Sequence, residues 1–399
     1  MGRRFLELWT WRFLPGILLF LTIYPAPGFG IDDTPESHFR RAAEFAQQGK
    51  LHAAEREYRL GLKLAPRSPE AYNNLGVLYF QRRNLAQARA AFEQAHRLKP
   101  GDPEISFNLG LALYQSGNSA SAIPHLTAGA TSPQHSTDAH YLLGACYFEL
   151  KQWQPSIEEL EIARKQRPDG PEILFLLVNA YREVKESKKS LEAAAQLLQQ
   201  HPNSPLVHLI LGQALDSAEQ SRQAEEEFKQ AIAASPRAPL FHFALGYLYW
   251  RWKRYEEAIG PLQEELQLDP HCALCYSYLG DIALKQGKAD QALQEFKEAL
   301  RLDRSQGQAY LGMGRAYAKL GQLEEAILFL RQAAKLLPDE VEPHYWLGKT
   351  LLQAGRAEEG RKELARVDQI NSMKRQEVAK TLSRSVPRTA VPNPSPPRE

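Results

Sequence analysis

One stretch, from Glu70 to Asp102, decides the fold, and it reads E-A-Y-N-N-L-G-V-L-Y-F-Q-R-R-N-L-A-Q-A-R-A-A-F-E-Q-A-H-R-L-K-P-G-D. Apolar and small residues that recur every three or four positions share one side of a helix. The first half places four of them on one face: Tyr72, Leu75, Gly76 and Tyr79. The second half places three on the face of another helix: Ala88, Phe92 and Ala95. Pro100 ends that helix, because proline lacks the backbone N–H and clashes with the preceding turn. The stretch therefore predicts two helices joined by a short turn.

The same pattern recurs along the chain every 34 residues without an insertion. Proline returns in register at Pro66, Pro100, Pro168, Pro202, Pro236, Pro270 and Pro338. Glycine returns at Gly76, Gly110, Gly144, Gly212, Gly246, Gly280, Gly314 and Gly348, with Ala42 and Val178 in the two other units. This register predicts ten units, from Pro35 to about Lys374.

The fifth unit departs most from the pattern. It carries Val178 in place of glycine, Ala194 in place of the large apolar residue and Leu197 in place of alanine. Drift in the packing of this unit and a bend in the array both explain the departure, and drift is favoured.

The pattern resembles the tetratricopeptide repeat family, in which an aromatic residue, Leu-Gly, Tyr, Ala, Phe, Ala and Pro are spread over 34 residues. The resemblance covers all ten units and implies an all-α solenoid of about ten helix-turn-helix repeats, wound into a right-handed superhelix with a concave groove. One pair of helices cannot bury its apolar face alone, so stacked neighbours supply the core. Glycine recurs at five of the turns between helices, where a left-handed conformation is needed: Gly49, Gly117, Gly287, Gly321 and Gly355.

Composition and charge limit the classes of function. The chain is 43% hydrophobic and 24% charged, with a formal net charge of +2. The first thirty residues already carry that charge, since Arg3, Arg4 and Arg12 stand against Glu7. The repeats are therefore close to neutral, and we expect no nucleic-acid binding, because phosphate binding needs a basic surface.

Residues 1–30 have the order of segments of a secretory signal peptide. Arginines precede a short apolar run at 13–24, and small residues follow it up to Gly30. We expect cleavage after Gly30 and export in a bacterium, to the periplasm or beyond. The alternative is an uncleaved inner-membrane anchor formed by residues 13–24, although a spanning helix needs roughly 20 apolar residues. Contact with a membrane is expected only through that anchor.

Beyond Ile370 the repeat pattern fades. Ser372 to Leu382 predicts one more helix, which covers the apolar end of the array as terminal caps do. Prolines and charges after Ser383 predict disorder. The predicted division is a signal peptide at 1–30, ten repeats at 35–374, and the end of a capping helix with a disordered, proline-rich basic tail at 375–399.

The sequence offers little for catalysis. No phosphate-binding loop, nucleotide-binding glycine motif or Ser/His/Asp order stands out, so we expect no enzymatic activity and no cofactor. Cys272 and Cys275, next to His271, have the spacing of a metal site or a redox pair, but two thiols without a second pair are a weak metal motif. Packing is favoured, and a local disulfide is the alternative in an oxidising compartment. Five histidines stand where the family prefers an aromatic residue and are interpreted as packing substitutes: His38, His140, His208, His242 and His344.

The family resemblance implies that the first helix of each unit lines the groove, chiefly at its second, fifth, ninth, twelfth and thirteenth positions, with the sixth nearby. These positions give the candidate peptide-binding residues Asn73, Asn74, Phe107, Asn108, Tyr141, Phe175, Phe243, Tyr247, Trp250, Tyr278, Arg315 and Tyr345. Aromatic rings supply contact area, and amides pair with a peptide backbone. The alternative is that many of these rings pack between neighbouring first helices.

Charges of opposite sign separate along the predicted groove. The second positions of the first five units are acidic: Glu36, Glu70, Glu104, Asp138 and Glu172. Later units carry bases at ninth and thirteenth positions: Arg251, Lys285, Arg315, Lys319 and Lys349. Helix dipoles account for each charge by itself, because they favour acids at helix starts and bases at helix ends, but they do not account for the separation.

These observations predict a non-catalytic scaffold for protein–protein interaction that binds an extended peptide or a helix in the concave groove. The alternative is a structural or self-assembling component of a cell-envelope complex for secretion, pilus formation or polysaccharide export.

Overall fold

The computed structural model describes residues 33–385, in which twenty α-helices occur and no strand. The side chains of residues 377, 378 and 380–385 are not described. The predicted signal peptide and the tail beyond residue 385 lie outside the described residues. In chain order the helices are α1 (Pro35–Gln47), α2 (Leu51–Leu64), α3 (Pro69–Gln81), α4 (Leu85–Leu98), α5 (Pro103–Gln115), α6 (Ser119–Gly129), α7 (Ser136–Glu149), α8 (Trp153–Gln166), α9 (Pro171–Glu183), α10 (Ser187–Gln200), α11 (Pro205–Ser217), α12 (Ser221–Ala234), α13 (Phe241–Arg251), α14 (Tyr255–Leu268), α15 (Ala273–Lys285), α16 (Ala289–Leu302), α17 (Gly307–Lys319), α18 (Leu323–Leu336), α19 (Val341–Gln353) and α20 (Ala357–Ser385).

The helices form ten consecutive pairs, which confirms the prediction of an all-α array of about ten helix-turn-helix repeats. The chain divides into two compact units, one ending at Ala234 and the other beginning at Ser235. The N-terminal unit holds α1 to α12, and the C-terminal unit holds α13 to α20. Within each unit, a first helix packs on its own second helix, and that second helix packs on the next pair. Among residues 33–385, no helix has both the length and the apolar character needed to span a membrane.

Within a repeat, the two helices cross where glycine faces a large residue. A Cβ on Gly76 would lie 2.6 Å from the Phe92 ring, and one on Gly144 would lie 2.5 Å from Cγ of Leu160. The same contact recurs at Gly110, Gly212, Gly246, Gly280, Gly314 and Gly348. Since real Cβ atoms do not approach so closely, glycine sets the distance between the two helix axes.

The fifth repeat keeps this crossing with different residues. Val178 stands at the glycine position and Ala194 at the position of the large residue, and both are fully buried. Ser190 Oγ of α10 donates to the Val178 carbonyl at 3.0 Å, as Ser156 Oγ donates to the Gly144 carbonyl at 2.8 Å in the repeat before. The added volume on one helix is offset by the lost volume on the other. The departure is therefore a change in packing that preserves the helix contact.

The turn between the two helices of each repeat contains one left-handed residue. In five repeats it is the glycine that the sequence predicts, with φ between 71° at Gly49 and 86° at Gly287. In the other five it is a longer residue with φ from 57° to 63°: Arg83, Lys151, Lys185, Glu219 and Lys253. A side chain in this conformation costs on the order of 1–2 kcal/mol. The surrounding helices stabilise the turn enough to hold it.

Four of the five predicted packing histidines also make a recurrent polar contact. In each, Nδ1 lies 2.6–2.7 Å from a glutamate nineteen residues later on the second helix: His38–Glu57, His140–Glu159, His208–Glu227 and His344–Glu363. His242 differs, because its Nδ1 lies 2.8 Å from Glu264, twenty-two residues later. The histidine therefore fills the aromatic position and also ties the first helix to the second.

The end of the array differs from the sequence prediction. The sequence predicts a separate capping helix from Ser372 to Leu382, but α20 runs without a break from Ala357 to Ser385. Ser372 stands where most repeats carry proline, so nothing stops the last second helix. Ile370 is the last residue of α20 that is buried among the described side chains.

We expect Gly246→Ala to destabilise the C-terminal unit by about 1–3 kcal/mol, because its Cβ would lie 2.7 Å from Cγ of Leu262 and 3.2 Å from the backbone nitrogen of that residue. Gly260→Ala in α14 is the matched control, since no atom lies within 4 Å of its Cβ. That change should stabilise the helix by about 0.5–1 kcal/mol. Thermal unfolding followed by circular dichroism measures both, and equal effects would contradict the close-crossing argument.

We expect Glu57→Gln to remove a pH-dependent part of the stability. Burial acts to raise the pKa of Glu57, but hydrogen bonds from His38 and Arg41 outweigh it and hold the pKa below 4.5. A lowered folded-state pKa stabilises the fold above the unfolded-state value, and that contribution is lost as pH falls through the folded-state value. In urea unfolding, the variant should be weaker than the wild type by about 1–2 kcal/mol at pH 7.

The gap should narrow as the pH is lowered from 7 towards 3, because the wild-type carboxyl becomes protonated as the pH falls through the lowered pKa of Glu57. The exposed Glu44→Gln on α1 is the control and should change little. A gap of constant size across this pH range would refute the role of the ionised Glu57.

Candidate functional site

The candidate site lies on the first helices of the C-terminal unit. Phe243, Tyr247 and Trp250 are four and three residues apart on α13, which places them on one face. Tyr278 on α15 packs against that face. We call these four residues the aromatic cluster. The structure thus brings together four of the predicted candidates.

The rings of the aromatic cluster are in mutual contact. The Trp250 and Tyr278 ring centroids are 4.6 Å apart, those of Tyr247 and Tyr278 are 5.4 Å apart, and those of Tyr247 and Trp250 are 5.9 Å apart. Phe243 is buried, while the remaining three rings are partly exposed. Burial, together with Tyr247 and Asp281, raises the pKa of Tyr278, so its hydroxyl stays protonated and able to donate. The cluster offers a preformed aromatic surface.

Asp281 joins the aromatic cluster to the basic residues beside it. Trp250 Nε1 donates to its Oδ2 at 2.8 Å, which orients the indole. Lys285 Nζ lies 3.7 Å from Oδ2, and Arg315 Nη1 of α17 lies 3.6 Å from Oδ1. One carboxylate therefore holds groups from three successive first helices in place. Asp281 is not among the residues predicted from the sequence, although it stands at the ninth position of its unit, which is one of the groove positions.

Arg315 extends this arrangement to α19. Its Nη1 lies 3.3 Å from Glu342, and its guanidinium lies 5.3 Å from the Trp346 ring centroid. Lys349 Nζ lies 5.0 Å from the same centroid, at a cation–π distance. Tyr345 is 44% exposed and meets Trp346 edge-on at 5.9 Å. Arg315 therefore borders the aromatic cluster through Asp281, and Tyr345 is connected to Arg315 through Trp346.

The start of α13 depends on a side chain from α14. The 34-residue register places the first helical residue at Pro239, but the helix begins at Phe241 because Leu240 is left-handed, with φ of 79°. Leu240 provides no side-chain cap. Glu265, only 1% exposed, accepts the backbone N–H groups of Leu240 at 2.6 Å and Phe243 at 3.1 Å instead. Glu265 thus fixes the helix that carries three of the four aromatic residues.

The six candidates in the N-terminal unit are buried: Asn73, Asn74, Phe107, Asn108, Tyr141 and Phe175. Asn108 Nδ2 donates to Asn73 Oδ1 at 2.9 Å, so the amides bond each other across neighbouring first helices. The Phe107 ring stacks on His135 at 4.3 Å. In this conformation these residues pack the repeats together and offer no contact surface.

Acidic residues at the helix starts of the N-terminal unit have basic neighbours. Lys99 Nζ lies 3.7 Å from Glu70, and Arg167 contacts both Asp138 at 3.1 Å and Glu172 at 2.7 Å. Lys99–Glu70 and Arg167–Asp138 each join the end of a repeat to the start of the same repeat, whereas Arg167–Glu172 joins one repeat to the next. The basic partners therefore offset the negative charge of three of the five acidic residues at second positions.

The structure resolves the alternatives for the cysteine pair. Cys272 and Cys275 form a disulfide across the start of α15, where the sequence analysis favoured unlinked packing residues. Cys146 is a buried free thiol, and burial raises its pKa to about 12. In residues 33–385, no group of three or more His, Cys, Asp or Glu side chains is placed to hold a metal ion.

Family models match the repeats defined by this fold. A tetratricopeptide repeat model matches residues 39–103, 209–271 and 279–341, and a second tetratricopeptide repeat model matches residues 322–383. A model of anaphase-promoting complex, cyclosome, subunit 3 matches residues 81–163. The chain belongs to the tetratricopeptide repeat family. No curated protein sequence matches it at a significant level.

Solved structures that resemble the chain include that of TTC0263 from Thermus thermophilus, which is 21% identical with a TM-score of 0.40; the match covers 46% of this chain and 98% of that one. Yeast Tom70 is 14% identical with a TM-score of 0.40, covering 88% of this chain and 96% of that one. MamA from Desulfovibrio magneticus RS-1, from residue 41 to its end, is 19% identical with a TM-score of 0.39, covering 42% of this chain and 96% of that one. Similarities of this size carry no information about partners.

We expect Glu265→Ala to destabilise the C-terminal unit by about 2–3 kcal/mol, because two backbone N–H groups at the start of α13 lose their side-chain acceptor. Hydrogen exchange at the amides of Leu240 and Phe243 should rise with it. Gln267→Ala is the matched control, since the Gln267 side chain is exposed on the same helix. Unchanged protection of the two amides in Glu265→Ala would contradict the capping role.

Proposed function

We propose that the chain is a non-catalytic protein-interaction scaffold, and that its C-terminal unit binds an extended peptide or a helix along the first helices. The observation that carries the proposal is the aromatic cluster, with three partly exposed rings and a basic border on one side. Membership of the tetratricopeptide repeat family supports the same class of function.

The chemistry of the surface favours an apolar segment next to acidic residues. Tyr247, Trp250 and Tyr278 supply rigid contact area of the kind that carries most of the binding energy at interfaces. Lys285 is exposed beside them, and Lys349 is exposed beside Trp346 on α19. Asp281 is already engaged by Trp250, Lys285 and Arg315, so the charge that remains to meet a partner is positive.

We also propose that the protein works outside the cytoplasm. The arginines, apolar run and small residues of 1–30 are the basis of this proposal. The disulfide between Cys272 and Cys275 supports it, because disulfides persist mainly in oxidising compartments.

We expect Tyr247→Ala, Trp250→Ala and Tyr278→Ala together to weaken peptide binding at least about tenfold. Peptides selected from a random phage-displayed library on the full-length wild-type protein serve as the probe, and fluorescence polarisation gives their dissociation constants. The matched control replaces three exposed leucines of the same unit by alanine: Leu268, Leu320 and Leu328. Binding should be unchanged in this control.

Charge reversal tests the same surface without removing packed rings. Lys285→Glu together with Lys349→Glu should also weaken the selected peptides, and these should be rich in apolar and acidic residues. Peptides that bind the aromatic triple variant as tightly as the wild type would refute the proposed surface. Peptides whose dissociation constants are unchanged in both variants would refute the C-terminal unit as the binding unit.

A further inference from the structure

The disulfide between Cys272 and Cys275 lies at the N-terminus of α15. Cys272 is the N-cap residue and Cys275 lies in the first turn, with their Cα atoms 5.4 Å apart. Neither sulfur contributes to the aromatic cluster, so the proposed binding function leaves this pair unexplained.

The two sulfurs differ in access. Cys272 is partly exposed in the turn between α14 and α15, whereas Cys275 is fully buried. A thiolate that approaches from solvent therefore meets Cys272 first. This asymmetry separates an attacked sulfur from a leaving sulfur.

The surroundings of Cys272 stabilise negative charge on its sulfur. The backbone N–H of Cys275 donates to Cys272 Sγ at 3.2 Å. The positive end of the helix dipole also favours a thiolate there, and such positions lower a thiol pKa from its usual value of about 8.5. The charged or titratable groups of the turn are His271, which is exposed, and Asp269, whose carboxylate accepts the backbone N–H of His271 at 3.0 Å.

From this geometry we propose that Cys272–Cys275 is a thiol–disulfide exchange centre that reacts with a dithiol through Cys272. The proposal does not depend on the peptide-binding function.

The exchange proceeds in two balanced steps. A thiolate of the dithiol attacks Cys272 Sγ, the Cys272–Cys275 bond breaks, and its electron pair goes to Cys275, which takes a proton from solvent. The second thiolate of the dithiol then attacks the first dithiol sulfur, which is bonded to Cys272 in the mixed disulfide, and Cys272 leaves as a thiolate. The dithiol loses two electrons and becomes a disulfide, while the pair on α15 gains them. A stabilised thiolate at Cys272 makes it the better leaving group in the second step.

Cys146 provides an internal control in the same chain. It is fully buried on α7, and burial raises its pKa to about 12. It should remain unreactive towards an alkylating reagent as long as the protein is folded.

The test uses the full-length chain reduced with dithiothreitol, desalted, and given short pulses of iodoacetamide from pH 5 to pH 9. Peptide mass spectrometry measures alkylation at each cysteine. We expect Cys272 to react at least about tenfold faster than Cys275 at pH 6.5, with a midpoint below the usual thiol value of about 8.5. Equal rates at the two cysteines, or an ordinary midpoint at Cys272, would overturn the proposal.

A trapping experiment tests the direction of attack. Cys275→Ala treated with oxidised glutathione should carry a glutathione adduct on Cys272, and the matched Cys272→Ala should carry none on Cys275. The reverse pattern would overturn the proposal. Circular dichroism checks that both variants are folded. If either variant is unfolded, the alkylation rates of the wild-type cysteines test the proposal instead.

Discussion

The close crossing of two helices within each repeat is the contact on which the other features of the structure depend. A glycine on the first helix lets a large residue of the second helix reach its backbone, as Phe92 does at Gly76 and Leu262 does at Gly246. The turn must then reverse the chain over a short distance, so one residue of each turn is left-handed. The fifth repeat shows that the constraint falls on the combined volume at the crossing, since Val178 with Ala194 fills it as well.

Much of this fold could be predicted from the sequence, because its signals are local. Glycine, proline and the apolar faces recur every 34 residues, and each reports on its own helix or turn. The N-terminus of α13 could not be predicted, since Glu265 acts there from another helix. α20 is continuous because Ser372 stands where most repeats carry proline. In the sequence, this absence of proline indicates only that the repeat pattern ends, and not that the helix continues.

Helical periodicity could assign the candidate residues to a face but could not give their exposure. Position alone projects both Asn73 and Trp250 onto the groove. Asn73 is bonded to Asn108 on the neighbouring first helix and is buried, whereas Trp250 is bonded to Asp281 and keeps part of its ring exposed. The difference depends on what the adjacent repeat places opposite each residue. That information is spread over residues more than thirty positions apart.

Val178 and Ala194 of the fifth repeat indicate which amino-acid substitutions the helix crossing tolerates. A valine placed opposite a large residue would collide with it, whereas an alanine opposite glycine leaves a void. Overpacking costs roughly 1–3 kcal/mol, and removal of a large apolar side chain costs roughly 2–5 kcal/mol. Both single-step intermediates between the common pair and the pair Val178 and Ala194 are therefore less stable than either end point. Paired substitutions at the two positions avoid both losses.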